Sequence, residues 1–357
     1  MRRERNWILK KMMYPGFFVL MGVMIFSIAE AKTFTIVFSS HDPKGGSWTE
    51  IYEPWFAQIE KATHGNVKIE QHWNGELAGL AEAYDAVSQG VVDLTYFLPM
   101  MKPNLFPMED YINFNANDIF VYGKSQLTWE LFNTIPELRA PYKKSVKVLF
   151  QLVTFPNFFA TREGKPIKSF EDCRGMKFIA VGKWDSELGK ARGMVPMTVM
   201  PPETFMSLQT GVIDGCTMTF PSLFDFQLAP VTPNISLVNN RGAIFCCVMN
   251  KEIWNKLSPE YQKVFEDTAA ALPAIMDAIQ LREYAELQKK IVKEYPKTQI
   301  YRFSPEELAK FKKAAAPVRA EFINELNKKG LPGDNLLKTY DELEEKYASK
   351  IYEKYDY

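Results

Sequence analysis

The sequence predicts an α/β fold of two similar lobes followed by long C-terminal helices. Two observations carry this. One ten-residue phrase occurs twice, as Tyr84-Asp-Ala-Val-Ser-Gln-Gly-Val-Val-Asp93 and Phe205-Met-Ser-Leu-Gln-Thr-Gly-Val-Ile-Asp214. The copies begin 121 residues apart, too far for a solenoid repeat and about one lobe of a duplicated architecture. In addition, short β-branched runs alternate with segments whose apolar residues recur at helical spacing, and 357 residues suffice for two cores.

Within each copy, the aromatic residue and the aliphatic residue three places later mark one helical face. Gly90 and Gly211 then suit the left-handed position that closes a helix. The following Val-Val or Val-Ile pair reads as a short buried strand, closed by Asp93 or Asp214. Each copy is therefore expected to be helix, stop, strand and exit, and two such lobes imply a cleft between them.

The chain begins with Arg2, Arg3, Arg5, Lys10 and Lys11, then an apolar run over 17–28 and Ala29-Glu30-Ala31. This is the pattern of a signal peptide, 1–31, cut after Ala31. The run is shorter than the roughly 18 clean apolar residues a membrane span requires, so a soluble periplasmic protein is expected. Basic and acidic residues balance at 43 each, which argues against nucleic acid as a partner, because phosphate binding needs concentrated positive charge. Cys173, Cys216, Cys246 and Cys247 show no CxxC pair, so no metal site is expected. Adjacent Cys246 and Cys247 face opposite sides of a strand, which favours burial as free thiols.

After the leader, residues 33–38 read as a strand and 39–47 as a loop. A helix opened by Trp48 follows, with Ile51, Trp55 and Ile59 on one face. Residues 67–73 alternate as a second strand, the first repeat copy comes next, and 95–107 form an aromatic-rich loop. Residues 148–155 are a buried strand, and Pro156-Asn157 marks a crossing into the second lobe. There, 177–181 is a strand, 186–191 a helix, and the second repeat copy follows. Residues 239–250 return to the first lobe. Ser258-Pro259-Glu260 and Ser304-Pro305-Glu306-Glu307 announce two helices by their caps, and 334–357 is a charged amphipathic helix. The expected division is lobe one at 32–155 with a return segment of about 240–300, lobe two at 156–239, and C-terminal helices at 301–357 packing across both.

Catalysis finds little support. No GxSxG elbow, P-loop, HExxH or glycine-rich dinucleotide fingerprint is present. Of three histidines, His64 and His72 read as surface residues, whereas His41 follows the first strand, where open α/β sheets place ligand-contacting loops.

Four stretches resemble the periplasmic solute-binding proteins of TRAP transporters, the DctP-like family named for C4-dicarboxylate uptake. They are Lys165-Pro-Ile-Lys-Ser-Phe-Glu-Asp-Cys-Arg-Gly-Met-Lys177, Pro201-Pro-Glu-Thr-Phe-Met-Ser-Leu-Gln-Thr-Gly-Val-Ile-Asp-Gly215, Gly75-Glu-Leu-Ala-Gly79 and Asn250-Lys-Glu-Ile-Trp254. The resemblance implies a two-lobe periplasmic binding protein fold closing on one small organic solute, with TRAP membrane subunits as partners. It also implies no catalytic residues and no cofactor; a monomer is expected.

The family usually binds a carboxylate through an Arg two residues past the Lys of a motif that here reads Gly175-Met176-Lys177, and that position is Ile179. A second Arg found in some members corresponds to Phe159. An Arg fork gives a carboxylate two charge-assisted hydrogen bonds, and burying that anion without a partner costs several kcal/mol. The expected ligand is therefore neutral, zwitterionic or aromatic-bearing. Expected contacts in the first lobe are His41, Trp48, Tyr96, Phe97 and Leu98. Asn157, Phe158 and Phe159 at the crossing join Ile179, Val181 and Trp184, and then Met218, Thr219 and Phe220 after the second copy. Two alternatives stand: an organic acid held by a displaced cation, with Arg162, Lys183 or Arg192 nearest in sequence, or a ligand sensor for a receptor kinase.

Overall fold

Strands and helices alternate through a computed structural model that describes residues 33–114, 123–155, 157–240 and 242–348. The leader, 115–122, Pro156, Arg241 and the residues after Ala348, where the sequence suggests that the last helix continues, lie outside the described residues. The order begins with β1 (Phe34–Ser39), α1 (Thr49–Ala62), β2 (Val67–His72), α2 (Ala83–Ser88), β3 (Leu94–Phe97), α3 (Lys124–Thr134), α4 (Pro136–Arg139) and β4 (Val146–Val153). Next come β5 (Asn157–Thr161), β6 (Lys177–Ile179), α5 (Gly182–Ala191), β7 (Val195–Met197), α6 (Pro201–Gln209), β8 (Gly215–Met218), α7 (Phe220–Asp225) and β9 (Asn234–Asn240). The chain then continues through β10 (Ile244–Asn250), α8 (Lys251–Lys256), α9 (Pro259–Ala269), α10 (Leu272–Glu294), β11 (Gln299–Arg302), α11 (Pro305–Lys328) and α12 (Gly333–Ala348).

Two sheets result, one at the centre of each lobe. The first has the order β2-β1-β3-β10-β4, with β1 parallel to β2 and β3, and β10 antiparallel to β3 and β4. The second has the order β11-β9-β5-β8-β6-β7. Its β6 is parallel to β7 and β8, while β5 is antiparallel to β8 and β9. Strands β7, β6, β8, β5 and β9 thus take the places of β2, β1, β3, β10 and β4. The chain leaves the first sheet after β4 and returns through β10, and Thr154 and Ala243 tie the two crossing segments together.

The duplicated phrase occupies the same place in both sheets. Helices α2 and α6 end before Gly90 and Gly211, which have φ values of 78° and 74°. The Val-Val and Val-Ile pairs are not the strands that the sequence suggests. Val91 and Val212 are 62% and 49% exposed, Val92 and Ile213 are buried, and the strands begin only after each Asp. The physical reason is that the turn must place the Asp beside the neighbouring parallel strand.

Asp93 N donates to Val37 O (2.9 Å), and Val37 N donates back to the Asp93 carboxylate (2.8 Å). Asp214 does the same with Lys177, at 2.7 and 3.0 Å. Each Asp carbonyl also accepts from the adjacent antiparallel strand, from Asn250 N at 2.8 Å and from Arg162 N at 3.0 Å. The two aspartates thus clamp the central strands instead of closing the strands and capping the loops that follow.

Their electrostatics differ. Burial raises the Asp93 carboxyl above its ordinary value, with the Val37 N–H opposing. Burial also pushes Asp214 upward, but the Lys177 N–H, Arg162 and Lys165 outweigh it and hold that carboxyl below its ordinary value. Arg162 reaches Asp214 through Nε (3.0 Å) and a terminal nitrogen (2.8 Å).

Period-two alternation sorts strand side chains into cores on opposite faces. In the first sheet Phe97, Cys246 and Val248 enter one cluster, and Tyr96, Phe245 and Cys247 the other. In the second sheet Phe158 and Phe159 part in the same way. All four cysteines are free and buried, and burial raises the Cys173 and Cys216 thiols to about 12, which leaves them inert.

The C-terminal helices hold both halves. Ser258 and Ser304 cap α9 and α11 by accepting from Tyr261 N (3.2 Å) and Glu307 N (3.3 Å). The Glu307 carboxylate accepts from Phe170 N (2.7 Å) rather than closing a capping box, which fastens α11 to the second lobe. On α10, Asp277 accepts from Ser125 N and Gln126 N at the start of α3, and Gln280 donates to Val153 O at the end of β4. Farther along the same helix, Tyr284 packs on Phe220 with ring centroids 5.4 Å apart.

The difference between the clamps is measurable. Asp214→Asn should cost roughly 1–3 kcal/mol in urea unfolding at neutral pH, because it removes a charge that nearby cations compensate. Asp93→Asn should cost less, because burial already disfavours the Asp93 charge.

Candidate functional site

Parallel strands end on a common edge, and in open α/β sheets ligands bind beyond the carboxyl ends. At that edge of the first sheet, β1 runs into Ser40, His41 and Asp42, and Tyr96 stands on the adjacent β3. Trp48 immediately precedes α1, and Phe245 comes from β10. Tyr96 stacks on Trp48 (5.1 Å, 25°) and on Tyr52 (4.7 Å, 26°). Phe245 meets Trp48 edge-on (4.7 Å, 63°) and Tyr96 likewise (5.6 Å, 82°). Such pairs contribute about 0.5–1.5 kcal/mol each beyond burial, so the cluster is a rigid apolar wall.

Polar groups are threaded through this wall. Tyr96 OH donates to Asp42 Oδ2 (2.6 Å), Ser40 Oγ lies 2.5 Å from the same phenol oxygen, and Asp42 N donates to Ser40 Oγ (3.0 Å). The His41 ring stacks on Phe245 (5.9 Å, 15°) and meets Tyr96 at an angle (5.8 Å, 66°). Its Nε2 lies 3.3 Å from Asp42 Oδ2, its side chain is 10% exposed, and its Nδ1 is buried without a partner among the described residues. Burial lowers the imidazole pKa, with the Asp42 charge opposing, so the neutral ring is favoured.

The second lobe meets this edge on two flanks. Asp225, at the end of α7, accepts from Ser47 Oγ (2.7 Å) and Ser47 N (3.3 Å). Burial raises its carboxyl above the ordinary value, the Ser47 hydrogen bonds oppose that rise, and the negative charges of Asp42 and Glu50 add to it. On the other flank, Gly182 has φ +80°, and a Cβ there would lie 3.1 Å from Met100 O. Only glycine lets the chain turn and the lobes approach this closely.

The expected site residues fall into groups. His41, Trp48 and Tyr96 come together, with Leu98 in the same core and Val181 packed against it. Phe158 and Phe220 form a pair at 4.4 Å, with Ile179 and Met218 half-buried beside their core. Asn157 opens β5, and Thr219 caps α7 by accepting from Ser222 N (3.3 Å). Three aromatics point elsewhere. Phe97 lies across the sheet against Tyr84 and Phe106, and Phe159 lies against Phe178 and Phe311. Trp184 packs edge-on against Phe322 of α11. Phe245 belongs to the wall but escapes sequence reasoning, because β10 is apolar on both faces and gives no alternation.

The displaced cations are all engaged. Arg162 is paired with Asp214, Lys183 with Glu325 of α11, and the Arg192 guanidinium lies 5.7 and 5.8 Å from the Phe159 and Phe311 rings. His72 lies between Glu70 and Glu76. Among the described residues, no group of three or more His, Cys, Asp and Glu could hold a metal ion, and no helix is long and apolar enough to cross a membrane.

Comparison with known proteins places this architecture. The family model DctP, bacterial extracellular solute-binding protein, family 7, matches residues 38–326. The C4-dicarboxylate-binding periplasmic protein DctP of Rhodobacter capsulatus is 23% identical over 304 residues, 82% of this chain and 86% of that protein. A marine-metagenome TRAP solute-binding protein specific for aromatic acid ligands, solved with 3-hydroxybenzoate, superposes with TM-score 0.80 at 24% identity, covering 88% of this chain and 99% of that one. A TRAP solute-binding protein from Rhodoferax ferrireducens T118, solved with copurified benzoate, also reaches 0.80, at 22% identity over 90% of this chain and 100% of its own.

His41 gives the site a pH signature. Its folded pKa lies below its ordinary 6.5, so its contribution to stability is complete above that value and is lost as pH falls toward the depressed pKa. Between about pH 7.5 and about pH 5.5, the Tm of His41→Phe should fall less steeply than that of the wild type. Parallel thermal melts measure this, and identical slopes would contradict it.

Proposed function

The chain belongs to the DctP family, family 7 of the bacterial extracellular solute-binding proteins, and from that premise we propose that it captures a small aromatic-bearing organic solute between its lobes. It is a solute-binding receptor of the TRAP type, not an enzyme, and such receptors act outside the cytoplasm with membrane subunits. The further reading is of a monomer whose leader is cut after Ala31, with lobe one at 32–155 plus about 240–300, lobe two at 156–239 and C-terminal helices from 301.

The observation that carries the ligand class is the gathering of Trp48, Tyr96, Phe245 and His41 at the exit of β1 and β3. Pockets lined by aromatic side chains with a few polar groups suit flat ligands. Two neighbours of the same fold were solved with 3-hydroxybenzoate and benzoate, which favours the same class. Opposite this wall, the proposal places the half-buried Ile179 and Met218, so the second lobe contributes apolar surface where the family's Arg would stand. The engagement of Arg162, Lys183 and Arg192 with other groups weakens the case for any ligand held chiefly through its carboxylates, so the aromatic ring is proposed to carry the recognition. A ligand touching both lobes binds the closed form better and so shifts the population toward it.

A thermal-shift panel tests the ligand class on the mature protein, with aromatic acids, aromatic amides and aliphatic diacids as probes. A compound at about 100 times its Kd adds roughly 2.7 kcal/mol, which gives a clear shift. Aromatic compounds should stabilise the protein while succinate and malate stay silent. Stabilisation confined to aliphatic diacids would overturn the reading.

A further inference from the structure

We propose that His41 reads a hydroxyl or N–H group on the aromatic ligand, accepting its hydrogen bond at Nδ1. This rests on the aromatic-ligand reading above and adds the polar half of the recognition.

In neutral imidazole one nitrogen donates and the other accepts, and the partner of the first fixes the role of the second. Nε2 is the nitrogen beside the Asp42 carboxylate, 3.3 Å from Oδ2, and that negative charge favours the proton on Nε2, which leaves the lone pair on Nδ1. Asp42 is itself held by the Tyr96 hydroxyl (2.6 Å) and, through its N–H, by Ser40 (3.0 Å), so the tautomer is set by a fixed group. Phe245 and Tyr96 fix the plane of the ring.

The result is a buried acceptor with no partner among the described residues, at the edge the second lobe covers. Such an acceptor loses its water on burial and regains nothing until a donor arrives. A ligand hydroxyl or N–H supplies that donor; a carboxylate oxygen brings a second lone pair against the first. Burial keeps the ring neutral at neutral pH, which preserves this sense of discrimination. Recognition of this kind is sharp, because an analogue without the donor leaves the protein's acceptor unpaired.

The test is calorimetric titration of the mature protein at pH 7.5 with benzoate and with 2-, 3- and 4-hydroxybenzoate, repeated with benzamide and its three hydroxy isomers. The best hydroxy isomer should bind about tenfold tighter than its parent. In His41→Phe, which keeps an aromatic ring against Phe245, that ratio should fall toward one. His41→Gln, which retains an accepting oxygen, should restore part of it. Binding of parent and isomers with equal affinity to the wild type would overturn the role of His41 and leave the aromatic reading standing. A preference undiminished in His41→Phe would assign the hydroxyl to another group and also overturn it. If no compound of either series binds, the aromatic reading itself fails and this inference with it. Should His41→Phe not unfold cooperatively, the wild-type ratio and His41→Gln decide the question.

Discussion

Each sheet is organised around one aspartate that binds the backbone of three strands at once. Asp93 and Asp214 exchange two hydrogen bonds with a parallel neighbour and accept a third from an antiparallel one. Each clamp fixes the register of the parallel neighbours where β3 and β8 begin, so their carboxyl ends lie along one edge. The residues proposed to meet the ligand stand at those ends: the loop carrying Ser40, His41 and Asp42, Trp48 before α1, and the β6 exit with Ile179 and Val181. The duplication of the clamp brings two such edges into one molecule, and the double crossing at Thr154 and Ala243 joins the two sheets.

Two of the contacts between the lobes are chemically specific. On one flank a single carboxylate, Asp225, accepts both hydrogen bonds from Ser47; on the other, a glycine with positive φ admits the backbone of Met100. These contacts join the lobes beside the aromatic wall without filling it with charge. The long helices add a second connection, since α10 binds the start of α3 and the end of β4 near its beginning and packs Tyr284 on Phe220 farther along.

Much of this was legible in the sequence. The repeat, the glycines that end α2 and α6, the serine caps of α9 and α11 and the return of the chain to the first sheet are written in local patterns that tertiary contacts do not override. Two kinds of feature were not legible. The Val-Val and Val-Ile pairs have the composition of strands, but the Asp after each must reach the N–H of a neighbouring strand, and that long-range hydrogen bond makes the pair a turn. Side-chain direction was also hidden. Tyr96 and Phe97, or Phe158 and Phe159, are equally apolar neighbours in strands buried on both faces, so composition could not show which one joins the wall. Trp184 belongs with α11 for a similar reason: its partner Phe322 lies far away in sequence.

The central claim is that a flat ligand is held between the lobes against Trp48, Tyr96 and Phe245, with His41 beside it. A crystal structure of the mature protein, grown with the aromatic compound that stabilises it most, addresses that claim directly. The account predicts density for the aromatic ring in van der Waals contact with Trp48 and Phe245 on one side and with residues at the exits of β6 and β8 on the other. A ring bound away from these strand ends, with the four side chains packed only on one another, would contradict it.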